Sequence, residues 1–217
     1  MPKKRHSKNI LITAGPTIEP LDPVRFLSNH STGEMGFELA RAAKRKNHHV
    51  ILISGPTRLT SPRGIRFVRV NRALEMQRAV FRFFGRADCV IMAAAVADFR
   101  PASVSNTKIK KKGGSLSVRL KRNPDILSAL GEKKGKRVLI GFSLDTKGLL
   151  DSAKNKLKSK NLDIIVANKA GNDLDPFGSG SKDVFIIHKN GRVKAIKKAS
   201  KRKIAGVILR LAEREFS

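Results

Sequence analysis

Asn9-Ile-Leu-Ile-Thr-Ala-Gly15, then Gly36-Phe-Glu-Leu-Ala-Arg-Ala-Ala-Lys-Arg-Lys46, then Val50-Ile-Leu-Ile-Ser54, read in order, decide the architecture. The first and third stretches are short apolar runs closed by a small or polar residue, and they read as buried strands. The middle stretch repeats apolar groups at Phe37, Leu39, Ala40 and Ala43, the spacing of one helix face. The rhythm recurs with a strand over 66–70, a helix over 73–84 and a strand over 89–94, and again with a strand over 138–142, a helix over 149–160 and a strand over 163–167. Strands alternating with helices imply right-handed crossovers and a parallel sheet covered on both faces. Between the two runs lie a polar loop over 95–114, a strand over 116–120 with alternating polarity, and a short helix opening at Pro124. Residues 184–187 and 193–196 flank Lys189-Asn-Gly-Arg192, where Asn-Gly predicts a hairpin turn with positive φ at both residues. Ser200 is placed to cap a last helix with Ile204, Val207, Ile208 and Leu211 on its apolar face. The fold class expected is α/β: a doubly wound, mostly parallel Rossmann-like sheet with helices on both faces and an antiparallel hairpin edge. No repeat or composition break divides the chain, so residues 10–217 read as one domain behind a basic leader, 1–9.

The chain has 217 residues, 40% hydrophobic and 29% charged, enough to bury a core without disulfides or metals. That excludes a wholly disordered basic tail. Lys and Arg total 46 against 17 Asp and Glu, a formal charge of +29. Such an excess raises nucleic-acid binding as a first hypothesis. The distribution argues against making it the main one: basic residues sit in the leader (Lys3, Lys4, Arg5), on helix faces (Arg41, Lys44), in a central run (Lys108, Lys110, Lys111, Lys112) and near the end (Lys197, Lys198, Lys201, Arg202, Lys203). Trp and Tyr are absent, so base stacking would depend on Phe alone. The single cysteine, Cys89, excludes a disulfide framework and a cysteine-rich zinc site, and its place in a buried strand makes it core rather than nucleophile. No apolar run approaches the roughly 18 residues of a membrane span, and no hydrophobic segment follows the basic N-terminus to make a signal peptide. The expectation is a cytoplasmic protein with no membrane partner.

In a doubly wound sheet, ligands sit beyond the carboxyl ends of the strands. After the first strand comes Gly15-Pro-Thr-Ile-Glu-Pro-Leu-Asp-Pro-Val-Arg25, continuing to Ser28-Asn-His-Ser-Thr-Gly-Glu-Met-Gly36. About twenty residues intervene before the helix, which weakens a dinucleotide fingerprint and with it an NAD(P)-dependent oxidoreductase. The helix start reads equally as a capped end or as an anion site with Asn29, His30, Ser31 and Thr32 as donors. Small residues in Ala93-Ala-Ala-Val-Ala-Asp-Phe-Arg100 leave room for a ligand against backbone, with Asp98 beside a ribose, a base or a metal. Arg122-Asn-Pro-Asp-Ile126 opens another helix N-terminus. Gly141-Phe-Ser-Leu-Asp-Thr146 ends a strand at the same edge. Lys156 and Lys160, at i and i+4, share a helix face on which they could hold a triphosphate; so do Lys154 and Lys158. Walker A, H-E-x-x-H, G-x-S-x-G and zinc-spaced patterns are absent from the sequence.

Taken in order, these segments resemble the phosphopantothenoylcysteine synthetases (phosphopantothenate–cysteine ligases) of bacterial coenzyme A biosynthesis. The resemblance rests on Gly15-Pro-Thr with Glu19-Pro-Leu-Asp-Pro-Val-Arg25, Ser28-Asn-His-Ser, Met35-Gly-Phe, Ala94-Ala-Val-Ala-Asp98, Lys108-Ile-Lys-Lys, Lys121 with Asn123-Pro-Asp-Ile126, Gly141-Phe142 and Lys160-Asn-Leu-Asp163. It implies a CTP-dependent ligase joining 4′-phosphopantothenate to L-cysteine through an acyl-cytidylate. Asn29 and Lys108 then match catalytic positions. Ala94, Asp98, Lys108, Asn123, Pro124, Asp125, Ile126 and Phe142 match nucleotide-binding ones, and of the two lysine pairs the resemblance selects Lys156 and Lys160. Mg2+ is expected to arrive with CTP, its protein ligands unassigned, and no flavin is expected. The resemblance also implies a homodimer whose central basic loop completes the site, a free-standing synthetase, and a separate phosphopantothenoylcysteine decarboxylase as partner. Asp145 and Phe99 stand where members often have Glu and Tyr.

Overall fold

A computed structural model describes residues 7–111, 113–145, 147–169 and 180–216. The leader residues Lys3, Lys4 and Arg5, together with Lys112 and Thr146, lie outside the described residues. One eight-stranded sheet organises the chain. In chain order its strands are β1 (Asn9–Ala14), β4 (His49–Ser54), β5 (Arg66–Arg69), β6 (Cys89–Met92), β9 (Val138–Asp145), β10 (Ile164–Lys169), β11 (Lys182–His188) and β12 (Val193–Ala199). The intervening labels belong to two small ribbons: β2 (Ile18–Pro20) with β3 (Phe26–Ser28), and β7 (Phe99–Pro101) with β8 (Leu120–Arg122). Sheet order is β12-β11-β10-β9-β6-β1-β4-β5. The six strands from β5 to β10 run parallel, and β11 and β12 add the antiparallel edge.

Alternation along the strands divides the core between the two faces. Ile10, Ile12, Leu52, Ile91 and Ile140 pack with helices α1 (Glu34–Arg45) and α5 (Lys201–Arg214). Leu11, Ile53, Val90, Leu139 and Ile165 pack with α2 (Ala73–Phe84), α3 (Ile126–Lys133) and α4 (Leu149–Ser159) on the other face. Cys89 is fully buried, and burial, with the nearby Asp163 and Asp88 charges, pushes its thiol far above the usual range. It is a core residue. The chain leaves β1 toward β4 and β5 on one side, then continues through β6 on the other, so the strand order reverses between β1 and β6. A crevice opens beyond the carboxyl ends of strands at such a reversal.

Three local expectations need correction, and one stretch that the sequence leaves unassigned takes a definite form. The roughly twenty residues between β1 and α1 contain an antiparallel hairpin of Ile18–Pro20 and Phe26–Ser28. Its turn is fixed by Asp22, whose buried carboxylate accepts the amides of Val24 and Arg25, the Arg25 guanidinium and the Ile109 amide. Residues 116–119 are not strand; only Leu120–Arg122 pairs, because its partner Phe99–Pro101 is itself three residues long. Pro124 precedes helix α3 rather than opening it, and Asp125 is the cap, accepting the Ser128 amide at 2.9 Å. In the turn between β11 and β12 only Gly191 has positive φ (84°), and its amide donates to the His188 carbonyl at 2.9 Å. That bond makes a three-residue loop with glycine in the left-handed position, an alternative to the two-residue turn. Ser200 does cap α5, accepting from the Lys203 amide.

Candidate functional site

Two adjoining clefts lie at the strand-order reversal. The first, about 520 Å3, is lined by residues 28–35 ahead of and within the start of α1, by 93–96 and Asp98 after β6, and by Phe142, Ser143 and Leu144 of β9. The second, about 510 Å3, is lined by Met92, Ala94, 96–99, 122–127, Phe142 and Lys160. Ala94, Val96, Asp98 and Phe142 line both, so the clefts share a wall made by the ends of β6 and β9.

The loop into α1 is built for close approach. Gly33 has φ 81°, and a Cβ there would lie 2.6 Å from Thr57 Cγ2 and 3.2 Å from the Gly15 backbone, so only glycine fits. Ser31 Oγ accepts the Gly33 amide and Thr32 Oγ1 the Glu34 amide. Asn29 is exposed at the cleft mouth, its Nδ2 donating to the Ala95 carbonyl at 3.0 Å, which ties the loop after β3 to the loop after β6. Thr17 reinforces that tie: its amide donates to the Ala95 carbonyl and its Oγ1 accepts the Ala97 amide.

On the second cleft, the Asn123 side chain works as a brace. Its Nδ2 donates to the Ala97 carbonyl at 2.8 Å and its Oδ1 accepts from Arg100 at 2.7 Å, while its backbone amide donates to the Asp98 carbonyl. The bonds fix the backbone on which exposed Asp98 stands. Asp125 pairs with Lys160 Nζ at 2.7 Å. Burial opposes ionisation of Asp125, but the Lys160 ammonium and the Ser128 amide outweigh it and hold the carboxyl below its ordinary value. Lys156 lines neither cleft; its Nζ donates to Ser143 Oγ at 2.8 Å and Asp145 Oδ2 at 3.1 Å. Burial raises the Asp145 pKa, and bonds from Ser143, Lys156 and Ser152 bring it below normal. The two lysines share a helix end but are held by different carboxylates, Lys160 standing one residue past α4 as its cap.

The structure thus gathers Asn29, Ala94, Asp98, Asn123, Pro124, Asp125, Ile126, Phe142 and Lys160 along one rim, with Lys156 behind it on Ser143. Lys108 is not gathered with them. It is exposed on a segment anchored to the Asp22 turn, where the Ile109 amide donates to Asp22 and the Ile109 carbonyl accepts from Arg25. Two cleft lysines escape sequence reading. Lys182 starts β11, and Lys201, 8% exposed at the start of α5, places Nζ 2.6 Å from Glu34 Oε2 at the start of α1. The Lys201 position depends on a pairing across 167 residues, which no local pattern announces. Among the described residues, no group of three or more His, Cys, Asp or Glu could hold a metal, and no helix is long and apolar enough to cross a membrane.

Comparison with known proteins places this geometry in a family. The chain is 44% identical over 203 residues to the "Coenzyme A biosynthesis bifunctional protein CoaBC" of Bacillus subtilis (strain 168), covering 93% of this chain and 50% of that protein. It is 42% identical over 187 residues to the protein of the same name from Escherichia coli (strain K12), covering 84% and 46%. The chain therefore spans about half the length of the curated relatives it matches. A crystal structure of the C-terminal domain of the coenzyme A biosynthesis bifunctional protein CoaBC superposes with a TM-score of 0.82 at 40% identity, covering 95% of this chain and 94% of that one. A "DNA/Pantothenate Metabolism Flavoprotein" from Streptococcus pneumoniae, 24% identical, shares the fold with a TM-score of 0.83 over 96% of this chain and 99% of that one. With residues 5–215 matching the family described as "DNA/pantothenate metabolism flavoprotein C-terminal domain", the chain belongs to that family.

Proposed function

We propose that the chain is a phosphopantothenate–cysteine ligase, in which the carboxylate of 4′-phosphopantothenate attacks the α-phosphate of CTP to release pyrophosphate, and the cysteine amine then displaces CMP from the acyl-cytidylate. The observation that carries this reading is the shared wall: Ala94, Asp98 and Phe142, three residues the resemblance assigns to the nucleotide, line both clefts. An acid in one cleft and a nucleotide in the other would meet across that wall. Similarity over nearly the whole chain to proteins named for coenzyme A biosynthesis supports the same chemistry.

In this reading the fold supplies positioning and charge neutralisation rather than a protein nucleophile. Asn29 Nδ2 stands at the mouth of the first cleft, where it donates to the acyl oxygen. The α3 start and Lys160 receive phosphates in the second cleft, the ligand taking over the ammonium now held by Asp125. Magnesium commonly uses one or two carboxylates and relies on substrate phosphates and water for the rest. The residues fit such an ion: Asp98, the carboxylate lining both clefts, would hold it, and it would neutralise phosphate oxygens.

Lys108 enters through a second copy of the chain. Large apolar side chains stand exposed on the same excursions that carry it: Val24 (59%), Phe26 (54%), Leu116 (57%) and Leu120 (44%). Pairing of two copies through them covers apolar surface and brings the Lys108 loop toward the partner's rim. With CTP and phosphopantothenate but no cysteine, the protein is expected to release pyrophosphate and retain an acyl-nucleotide. Formation of CDP and orthophosphate alone would refute the chemistry. Loss of the dimer on Phe26→Asp, read by sedimentation together with activity, tests the pairing.

A further inference from the structure

The opposite end of the sheet carries a feature that the ligase reading does not use. Between residues 58 and 86 the chain holds eight arginines, no lysine and one acidic residue, Glu75, although lysine exceeds arginine elsewhere. Arg78 and Arg82, at i and i+4, share one face of α2, and Arg86 follows in the turn two residues past the helix end; all three are exposed and form one ridge along and just beyond the helix. Arg66 on the edge strand β5 joins it: the Arg66 and Arg82 guanidinium carbons lie 4.7 and 5.6 Å from the centre of the same Phe83 ring. Among the described residues, no ion pair ties these four arginines to a carboxylate. Glu75 turns to the Asn71 amide and Asp88 to the Asn9 amide.

A second observation extends the ridge. Arg86 is also on the wall of a concavity of about 380 Å3 at the amino ends of β1, β6 and β9, lined besides by Lys8, Asp88, Lys136 and Arg137. Arg137 is committed to structure, donating to the Phe84, Gly85 and Lys134 carbonyls, and so shapes the floor. The basic track therefore runs from β5 along α2 into a hollow at the pole opposite the two clefts.

We propose that this pole docks double-stranded RNA through its phosphates. Planar guanidinium forks backed by an aromatic ring are pre-organised for bidentate phosphate contact, which ammonium groups are not. A membrane or protein partner would call for apolar anchors. Among the described residues, the large exposed apolar side chains lie at Val24 and Phe26, between Phe99 and Leu120, and at Val193, and none is on this face. The absence of exposed aromatic platforms there argues against single strands. α2 packs on the sheet through Met76, Val80 and Phe83 beside the edge strand β5, so the arginines stand on a broad, shallow basic face, the shape that the wide, shallow minor groove of A-form RNA accepts.

The test is anisotropy titration of a labelled 20-base-pair RNA duplex with the full chain at 50–200 mM KCl. The triple variant R78Q/R82Q/R86Q is expected to weaken binding at least about tenfold and to flatten the log K against log salt slope by roughly 2–3, about 0.9 per lost phosphate contact. Its ligase turnover should equal that of the parent, certifying the fold. R82E alone, with an unchanged melting temperature, should reproduce part of the loss. A control variant of equal charge change at the far sheet edge, K194Q/K197Q/K203Q, should change the slope by less than about 1. Equal losses from ridge and control, equal affinity for the matching DNA duplex, or ridge-dependent binding of phosphatidylserine vesicles or polyglutamate would each overturn the proposal.

Discussion

Replacing Gly36 with alanine sets two effects of known size against each other. Gly36 lies in the first turn of α1 with ordinary helical φ, so alanine should gain about 1 kcal/mol from helix propensity alone. Packing reverses the sign. A Cβ at Gly36 would stand 2.4 Å from Ala14 Cβ, 2.8 Å from the Thr13 carbonyl oxygen and 3.0 Å from Ala14 Cα, all on the central strand β1. None of these atoms is the end of a flexible side chain, so the helix must retreat until 2.4 Å becomes an ordinary contact of at least 3.4 Å, about 1 Å of movement. Overpacking of this kind costs about 1–3 kcal/mol, and with strand backbone as the obstacle the upper part applies, leaving a net loss of about 2 kcal/mol. For a chain of this length that lowers Tm by roughly 4–8 °C. The retreat carries residues 29–33 with it, and a misplacement of about 1 Å can lower turnover by 10²-fold. Gly206→Ala in α5 is the control: its Cβ meets only an Arg210 nitrogen at 3.7 Å, so a gain of about 0.5–1 kcal/mol should appear with activity intact. Thermal melts and a coupled pyrophosphate assay read both. If Gly36→Ala matched Gly206→Ala in stability and activity, the close packing of α1 on β1 would not control the site.

Four further outcomes are expected. Lys108→Gln should lower turnover by about 10²-fold with little change in Tm, as for a preorganised donor to developing charge; mixing it with an inactive Asn29→Ala chain should restore activity if the sites are completed across two copies. Asn123→Ala, which removes bonds to Ala97 and Arg100, should raise the KM for nucleotide and cost about 1–2 kcal/mol in urea unfolding. Lys201→Met leaves the Glu34 carboxylate unscreened in the first cleft, so the KM for the acid should rise more than kcat falls, and Lys201→Arg should recover most of it. Asp163 is buried and accepts from Lys189, Lys134 and the Leu139 amide, bonds that outweigh its burial and lower its pKa. Its contribution is therefore present above the ordinary carboxylate value of 3.8 and lost as pH falls through the lowered one. The stability gap between the parent and Asp163→Asn, about 2–3 kcal/mol at neutral pH, should persist to about pH 5, begin to narrow near 3.8 and close only as pH falls through the lowered value.

The parts of the fold legible in the sequence are those whose signal is local and repeated. Residues 73–84 form α2 with the expected bounds, because apolar spacing, an extended Arg72 and a following Gly85 agree. The strands flanking the switch point read as apolar runs because both their faces are covered. What the sequence hides is set at long range. The β2–β3 hairpin is held by Asp22 and by Glu19, which accepts the Ala73 amide at the start of α2, a contact spanning 54 residues. The alternation over 116–120 resembles a strand, yet a sheet partner exists for only its last residue and the two after it. In the site, Asn29, Asp98 and Phe142 are legible because each follows a recognisable strand or motif at the same sheet edge. Lys182 and Lys201 belong to the antiparallel edge and the last helix, and only the completed sheet brings them to the cleft.

The most direct measurement follows an oxygen. Phosphopantothenate carrying 18O in its carboxylate, turned over with CTP and cysteine, should deliver one labelled oxygen to CMP, because that oxygen bonds to the α-phosphorus before the amine displaces it from the acyl carbon. Label recovered in orthophosphate, or unlabelled CMP, would contradict an acid and a nucleotide meeting across the wall of Ala94, Asp98 and Phe142.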